Sequence, residues 1–242
     1  LDGALITNMR TGAQTAVALK YLLNHGSSQR RPIRLGIYGA GMQGHMQTRA
    51  IATLFDIEEL RIYDVSRPAL ERFQADMQDV VPGRIILCDE PSQAAQGDAV
   101  ICVTQSKDEF LKEEWLAPDT IVFPMGSYQE CEDAVLLHAD KIVVDHVEQT
   151  MHRGALSKLV AQGKLDEQGK ITRESITCTI GQLAAGKVQL ERRPGERLVC
   201  IPIGTGAMDI GCASVVYQRA LEQGRGQFFD FGVSSATQAT QN

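Results

Sequence analysis

A glycine-rich turn at residues 39–44 is the stretch of the sequence best suited to bind a ligand. It reads Gly-Ala-Gly-Met-Gln-Gly, follows a short apolar strand and opens a helical pattern. In such a turn the first glycine permits the tight bend, the second lets a pyrophosphate approach the backbone, and the third lets the helix pack on the sheet. The N–H groups at the start of the helix attract phosphate. The turn therefore predicts a dinucleotide site formed by Gly39, Gly41, Met42, Gln43 and Gly44; the alternative is a glycine-rich turn of another strand–helix unit.

An acidic residue lies where the ribose of such a dinucleotide would be recognised. Asp64 ends the second predicted strand, twenty residues after Gly44, which is about the spacing of a carboxylate that accepts from the ribose 2′-hydroxyl. A carboxylate would repel a 2′-phosphate, so NAD is favoured over NADP. Ser66 and Arg67 follow Asp64 and are assigned to the same site. Arg67 could bind a 2′-phosphate, which keeps NADP as the alternative cofactor.

A second turn is predicted to face the glycine-rich turn. Residues 98–104 read as an apolar strand, and polar residues follow it. The cofactor crevice of a doubly wound sheet lies at the carboxyl ends of its first and fourth strands. We therefore predict that Val103, Thr104 and Gln105 contact the cofactor. Thr104 either lines the nicotinamide side of the crevice or is an ordinary threonine at a strand end.

The elements that position these residues form an α/β pattern. Six short apolar strands alternate with helical patterns, at residues 34–38, 59–64, 84–89, 98–104, 120–125 and 141–145. Parallel neighbours need crossover connections, so the alternation predicts a parallel sheet, and a Rossmann-type doubly wound order 3-2-1-4-5-6 is the expected topology. Outside this unit we predict a turn-like lead-in at 1–9, helices at 10–23, 154–162, 175–185 and 207–223, and a strand at 198–203.

Composition limits the classes of function. The 242 residues carry a net charge of −6 and are 43% apolar, which indicates a globular chain and gives no sign of a nucleic-acid or anionic-membrane partner. No apolar run is long enough to span a bilayer. The six cysteines form no CxxC motif, and most lie in apolar stretches. We expect buried thiols of a cytoplasmic protein, with no metal site.

Several motifs taken together resemble those of one family. Asn8-Met9-Arg10-Thr11-Gly12-Ala13, a helix, a linker and then the glycine-rich turn resemble the T-x-x-R-T-A-A and G-x-G-x-Q motifs of the ornithine cyclodeaminase/μ-crystallin family. Residues 98–104, 125–127 and 184–209 are similar to further stretches of that family. The resemblance covers almost the whole chain. The combination is specific, although each motif alone is not.

The resemblance implies an incomplete subunit of a dimeric enzyme. Family members use NAD(H) or NADP(H) to move a hydride at the α-carbon of an amino acid or its imine, and their N-terminal half is absent here. We therefore expect residues 1–31 to be a helical remnant of a substrate and dimerisation domain. Residues 32–205 would form the dinucleotide-binding domain, and 206–242 a helix that returns to the first domain. The final helix and residues 1–24 should then expose apolar surface, and the intact protein is expected to be a homodimer.

The resemblance also implies roles for particular residues. Arg10 matches the family arginine that holds the substrate carboxylate; from the sequence alone it could equally be a helix-start arginine on a solvated face. Thr11 either contacts the cofactor or caps a helix. Four more residues are expected at the cofactor: Gly126 and Ser127 after the fifth strand, and Gly204 and Thr205 in the returning segment.

Tyr128 departs from the family pattern. It occupies the position of the aspartate that serves as acid/base in the cyclodeaminases, and we include it with Arg10 as a candidate catalytic residue. The P-G-K-x-E-L stretch that usually follows is not present as such. Glu130 or Glu132 could serve differently, but each more simply faces solvent at the start of a helix predicted at 131–139. Imine-reducing family members also lack the aspartate, so activity is not excluded.

These residues predict an NAD-linked enzyme that acts on an amino acid or imine. The first expectation is cyclodeamination, in which L-ornithine gives proline and ammonia. The alternatives are an NAD(P)H-dependent ketimine or cyclic-imine reductase, an amino-acid dehydrogenase, and a nucleotide-linked binding protein of the μ-crystallin type without turnover.

Overall fold

A computed structural model describes residues 2–163, 165–166, 169–170 and 172–227. The helices are α1 (Gly3–Asn24), α2 (Met42–Ala52), α3 (Arg67–Met77), α4 (Pro91–Ala94), α5 (Asp133–Leu137), α6 (Val147–His152), α7 (Ala155–Gln162), α8 (Ile180–Ala184) and α9 (Gly206–Glu222). The strands are β1 (Pro32–Tyr38), β2 (Asp56–Tyr63), β3 (Arg84–Leu87), β4 (Ala99–Cys102), β5 (Ile121–Pro124), β6 (Lys141–Val144), β7 (Leu165–Asp166), β8 (Gly169–Lys170), β9 (Cys178–Thr179) and β10 (Leu198–Ile201).

Eight strands form one parallel sheet in the order β3-β2-β1-β4-β5-β10-β6-β9. The predicted α/β class and the first five places are confirmed. The predicted order is wrong beyond β5, because β10 lies between β5 and β6. All four residues of β10 are buried, so this strand needs a neighbour on each side. The adjacency of consecutive strands is only a tendency, and it fails here.

Two helical predictions are also corrected. The lead-in predicted at 1–9 is helical from Gly3, where α1 begins and where the Asp2 carboxylate accepts hydrogen bonds from the N–H groups of Ala4 and Leu5. The helix predicted at 175–185 is shorter. It begins only at Ile180, where Thr179 and Gln182 form a capping box. The strands at 34–38 and 198–203 and the helices at 154–162 and 207–223 lie close to their predicted bounds, and α6 was not predicted.

The core lies on both faces of the sheet. Alternate residues of β4 divide between the two faces: Ala99 and Ile101 belong to one apolar cluster, and Val100 and Cys102 to the other. The first cluster includes four residues of α1, one of α2 and three of α3: Ala16, Ala18, Leu19, Leu22, Ile51, Leu70, Phe73 and Met77. The second includes the buried residues of α5 and α7. Five of the six cysteines are buried, as predicted. None of the described helices combines the length and apolar character needed to cross a membrane.

Apolar side chains are exposed along α1 and α9, as expected for a chain that packs against further protein. Helix α9 contacts α1, and no residue of α9 is buried. The exposed large apolar residues of these two helices are Leu5, Met9, Val17, Ile210, Val215, Val216, Tyr217 and Leu221. The proposed division into three segments stays a prediction.

Truncation of Leu19 tests whether α1 is an integral part of the dinucleotide-binding fold. Leu19 is fully buried in the cluster on the first face of the sheet. We expect Leu19→Ala to lower the free energy of unfolding by about 2–5 kcal/mol, through lost apolar burial and a residual cavity. Urea denaturation measures the change. Val17→Ala, on the exposed side of the same helix, is the control and should change stability by less than about 1 kcal/mol. Equal effects of the two truncations would contradict this packing.

Candidate active site at the carboxyl edge of the sheet

The three glycines of the turn between β1 and α2 have different surroundings. Gly39 has φ +108°, and a Cβ there would lie 2.8 Å from the carbonyl oxygen of Val103. A Cβ on Gly44 would lie 2.1 Å from the carbonyl oxygen of Gly39, so the helix can approach the turn only without a side chain at 44. At Gly41 a Cβ would meet no atom within 4 Å. The first and third glycines therefore serve close packing, and the second borders open space.

Among the described residues no side chain caps the N-terminus of α2. Gly41 is its N-cap residue and supplies no side-chain hydrogen bond. The first-turn N–H groups of this 11-residue helix therefore point outward with the positive end of the helix dipole. The exposed Met42 side chain borders the same space. The open space at Gly41 and the uncapped N-terminus of α2 fit the diphosphate of a dinucleotide.

Asp64 lies directly beside this turn. Its Oδ2 accepts a hydrogen bond from the N–H of Ala40, and its Oδ1 accepts one from the N–H of Ser66, each at 2.8 Å. The carboxylate is therefore fixed between the glycine turn and the start of α3, which is where a ribose hydroxyl would be recognised. The Arg67 guanidinium is paired with two carboxylates, Glu71 at 3.3 Å and Asp89 at 3.2 Å. Arg67 is the residue that would bind the 2′-phosphate of NADP, and these two ion pairs compete with that role.

The predicted partner turn after β4 is held by a buried carboxylate. Glu130 accepts at Oε1 from the N–H and the hydroxyl of Thr104 (2.7 and 2.6 Å), and at Oε2 from the N–H of Gly126 (2.6 Å). The prediction that Glu130 faces solvent is wrong, because the residue is fully buried. Burial raises the pKa of this carboxyl, and the hydrogen bonds from Thr104 and Gly126 oppose that shift. Since the Thr104 hydroxyl donates to Glu130, its proton is not available to a cofactor.

Arg10 lies in the interior of the site, not on a solvated face. Its side chain is 12% exposed, and its Nε donates to Asp209 Oδ1 at 3.1 Å. The Thr7 hydroxyl donates to the same oxygen at 2.7 Å. The Thr7 and Arg10 hydrogen bonds keep the pKa of Asp209 below its usual value. Among the described residues no side chain pairs with Nη1 or Nη2 of Arg10, so the forked end of the guanidinium is free to bind a carboxylate.

The segment between β10 and α9 lies against Arg10. Gly204 has φ +84°, and a Cβ there would lie 2.1 Å from Arg10 Nη1. The N–H of Gly204 donates to Asp145 Oδ2 at 2.6 Å, and Gln14 Nε2 donates to the same oxygen at 2.9 Å. Asp145 therefore joins the end of β6, helix α1 and the segment that follows β10. Thr205 is the N-cap residue of α9.

The remaining candidate residues occupy less specific positions. Thr11 lies inside α1 and donates to the carbonyl of Thr7, so its predicted role as a helix cap is wrong. Gln43 Nε2 donates to Asn8 Oδ1 at 2.7 Å and joins α2 to α1. Four candidates lie in the turns after β4 and β5, and among the described residues their side chains make no hydrogen bond: Val103 is half-buried, and Gln105, Ser127 and Tyr128 are exposed.

Three carboxylates of this edge were missed as site residues. Glu130 and Asp209 carry no local signal, because their partners are distant in sequence. Asp145 had a signal that could have been used, since it follows β6 as Asp64 follows β2. Acidic residues at the carboxyl ends of parallel strands meet at one edge of the sheet.

The comparisons with known proteins identify the family. The family model of the ornithine cyclodeaminase/mu-crystallin family matches residues 1–224. The chain belongs to this family, which confirms the resemblance seen in the motifs.

Particular relatives differ in the reaction that their names state. Alanine dehydrogenase from Archaeoglobus fulgidus is 30% identical over 235 residues, which are 96% of this chain and 69% of the relative. Delta(1)-pyrroline-2-carboxylate reductase from Bacillus cereus is 27% identical over 236 residues, 96% of this chain and 69% of the relative. A solved structure of an archaeal alanine dehydrogenase dimer with bound NAD is 29% identical, has a TM-score of 0.78, and aligns with 93% of this chain and 68% of its own. The chain thus spans about two thirds of these relatives.

Substitution of Gly41 separates binding from folding. Since a Cβ at this position meets nothing within 4 Å, Gly41→Val should lower the melting temperature only by the small cost of a poorer N-cap residue. The added side chain occupies the space in front of the helix N-terminus, so we expect NADH binding to be lost in a fluorescence titration. Gly44→Ala is the contrasting variant, because its Cβ meets the Gly39 carbonyl oxygen at 2.1 Å and should lower the melting temperature. Retained NADH affinity in Gly41→Val would refute the assignment of this site.

Proposed function

We propose that the intact protein uses NAD to move a hydride at the α-carbon of an amino acid or of the corresponding imine. The observation that carries this proposal is the convergence of two groups at one edge of the sheet. One is the bare N-terminus of α2 beside Asp64, and the other is the free fork of Arg10 against Gly204. The first fits a dinucleotide diphosphate, and the second fits the carboxylate of a small substrate.

NAD is the predicted cofactor for reasons of charge and position. The Asp64 carboxylate is fixed at the ribose end of the site by Ala40 and Ser66, and it would repel the 2′-phosphate of NADP. The solved archaeal alanine dehydrogenase, 29% identical to this chain, contains bound NAD. When bound, the nicotinamide ring accepts or donates the hydride.

The residues of this chain hold the substrate in a fixed orientation. Asp209 engages the Nε of Arg10 and leaves both Nη groups for the substrate carboxylate, so that two parallel hydrogen bonds can form. Gly204 keeps the backbone of the returning segment close to the guanidinium. A carboxylate held in this way leaves the α-carbon with few orientations, which is the main contribution that positioning makes to hydride transfer.

Tyr128 favours net dehydrogenation or imine reduction over cyclodeamination. Tyr128 stands in place of the family aspartate and is half exposed, and the nearby Glu130 carboxylate is occupied by three donors. No carboxylate of this turn is thus free to exchange protons with a substrate amine. The names of the archaeal dehydrogenase and the bacillary reductase agree with this form. Cyclodeamination of L-ornithine is the second candidate, supported by membership of the family.

Homodimer formation is proposed for the intact protein. The solved archaeal alanine dehydrogenase is described as a dimer. The exposed apolar side chains of α1 and α9 in this chain offer surface for packing with the remainder of the subunit or with a second subunit.

Parallel assays of NADH and ammonia distinguish the reactions. The intact gene product is incubated with NAD⁺ and, in turn, L-alanine, L-proline and L-ornithine. NADH formed from one of these amino acids is the expected result. Ammonia from L-ornithine without net NADH indicates that the hydride returns to the product, which would establish cyclodeamination. Neither signal, together with intact NADH binding, would refute turnover of these substrates and favour a binding protein.

Replacement of Arg10 tests the carboxylate site. Arg10→Lys keeps the charge but loses the two-pronged hydrogen bonding, so we expect the KM for the amino acid to rise by at least about tenfold. The Kd for NADH, measured by fluorescence, should stay unchanged. Arg49→Lys, an exposed arginine on α2, is the matched control and should have wild-type kinetics. An unchanged KM in Arg10→Lys would rule out this role.

Replacement of Asp64 tests the choice of cofactor. In the wild-type protein the Kd for NADPH should exceed that for NADH by at least about tenfold, because the carboxylate repels the 2′-phosphate. In Asp64→Ser we expect the ratio of the two dissociation constants to fall, since the charge is removed. Asp79→Ser, just after α3 at an exposed site, is the control for a lost carboxylate. A wild-type preference for NADPH would contradict the assignment.

A further inference from the structure

The two ends of the turn that follows β5 are joined by a hydrogen bond to the side chain of Glu130. Gly126 and Glu130 are its two ends, and the N–H of Gly126 donates to Glu130 Oε2 at 2.6 Å. The carbonyl of Glu130 accepts from the N–H groups of Phe110 and Leu111. Glu130 is thereby fixed through both its backbone and its carboxylate, and Tyr128 lies at the exposed apex of the turn between them.

The same carboxylate reaches across to the neighbouring strand. Its other oxygen accepts two hydrogen bonds from Thr104, at 2.7 Å from the N–H and 2.6 Å from the hydroxyl. The Thr104 hydroxyl in turn accepts from the N–H of Ser106 at 3.2 Å. One buried side chain therefore joins the turn after β4 to the turn after β5.

We propose that Glu130 is the positioning residue of the nicotinamide half of the cofactor site, because its carboxylate fixes the relative position of the Thr104 and Gly126 turns. This inference rests on the proposed function. Glu130 lies outside the glycine turn and is distinct from the ribose carboxylate. In this proposal it positions the part of the site nearest to the reacting atoms.

A carboxylate is the group that these donors require. Three donors from two turns converge on it, and a carboxylate accepts at both oxygens and donates at neither. In a glutamine one end would be an NH₂ group facing a donor, which leaves a buried donor without an acceptor. Space is limited as well, since a Cβ on Gly126 would lie 2.4 Å from the Glu130 carboxyl carbon.

Among the described residues no cation pairs with Glu130, and its carboxylate is held by hydrogen bonds. The titratable groups close to it include the thiols of Cys102 and Cys131. Burial raises the pKa of the Cys131 thiol to about 12, so this neighbour stays neutral. Loss of any one of the three hydrogen bonds therefore weakens the link between the turns directly.

The test compares two ligands that differ only in the nicotinamide ring. ADP-ribose has the adenosine, diphosphate and second ribose of NADH but lacks the ring. In the intact protein, Glu130→Gln should raise the Kd for NADH by at least about tenfold, because a buried donor in the ring half of the site loses its acceptor. The Kd for ADP-ribose should stay within about twofold of wild type, since its contacts lie at the glycine turn and Asp64. Isothermal titration calorimetry measures both constants.

Two further variants make the test specific. Glu132→Gln is the matched control, because it carries the same chemical change two residues along. Among the described residues the Glu132 carboxylate accepts one hydrogen bond, a long one of 3.4 Å from the N–H of Glu113, so both constants should be unchanged. Thr104→Val removes one donor from the opposite side of the link. It should weaken NADH binding selectively, and it serves as the test if Glu130→Gln does not fold.

The outcomes separate this proposal from the proposed function. Equal weakening of NADH and ADP-ribose, or no weakening of either, in a folded Glu130→Gln or Thr104→Val protein would overturn the positioning role alone. Failure of the wild-type protein to bind NADH would overturn the proposed function, and the positioning role with it.

Discussion

The N-terminus of α2 must stay open to a ligand while the helix itself lies against the sheet. Three glycines meet these two demands. Gly39 and Gly44 allow backbone approaches that a Cβ would block at 2.8 and 2.1 Å, whereas the position of Gly41 opens to free space. The rest of the site depends on this arrangement, because the helix end fixes where a diphosphate can bind. In the function that we propose, Asp64 and the turn after β4 contact the two ends of the same ligand.

Carboxylates organise the remainder of this edge of the sheet. Two carboxylates, those of Asp64 and Glu130, each accept hydrogen bonds from the backbone N–H groups of two separate segments. The Asp145 carboxylate accepts one from the N–H of Gly204 and one from the side chain of Gln14. Asp209 holds Arg10 by its Nε. These hydrogen bonds join loops that are distant in sequence, and they leave the fork of Arg10 available among the described residues. In the function that we propose, Arg10 and the N-terminus of α2 each bind an anionic group.

The sequence predicts those features that depend on local patterns. The structure agrees with the predicted glycine turn, with the position of Asp64 after β2 and with the order of the first five strands, because alternation, spacing and turn residues are read from short segments. The ligand contacts of these residues stay predictions. The position of β10 could not be found in this way, since strand order beyond β5 depends on which buried strand finds two neighbours. The burial of Glu130 also depends on contacts between residues that are distant in sequence. An acid before a helix suits the helix dipole and solvent, and its donors at Thr104 and Gly126 converge only in the folded chain.

A crystal structure of the intact gene product with NADH would test the central claim most directly. We predict that the diphosphate lies against the first turn of α2 at Gly41 and the adenine ribose beside Asp64. The nicotinamide ring should lie at the Thr104 and Gly126 turns, within reach of a substrate held by Arg10. A dinucleotide bound elsewhere, or no bound dinucleotide at a saturating concentration of NADH, would contradict the account.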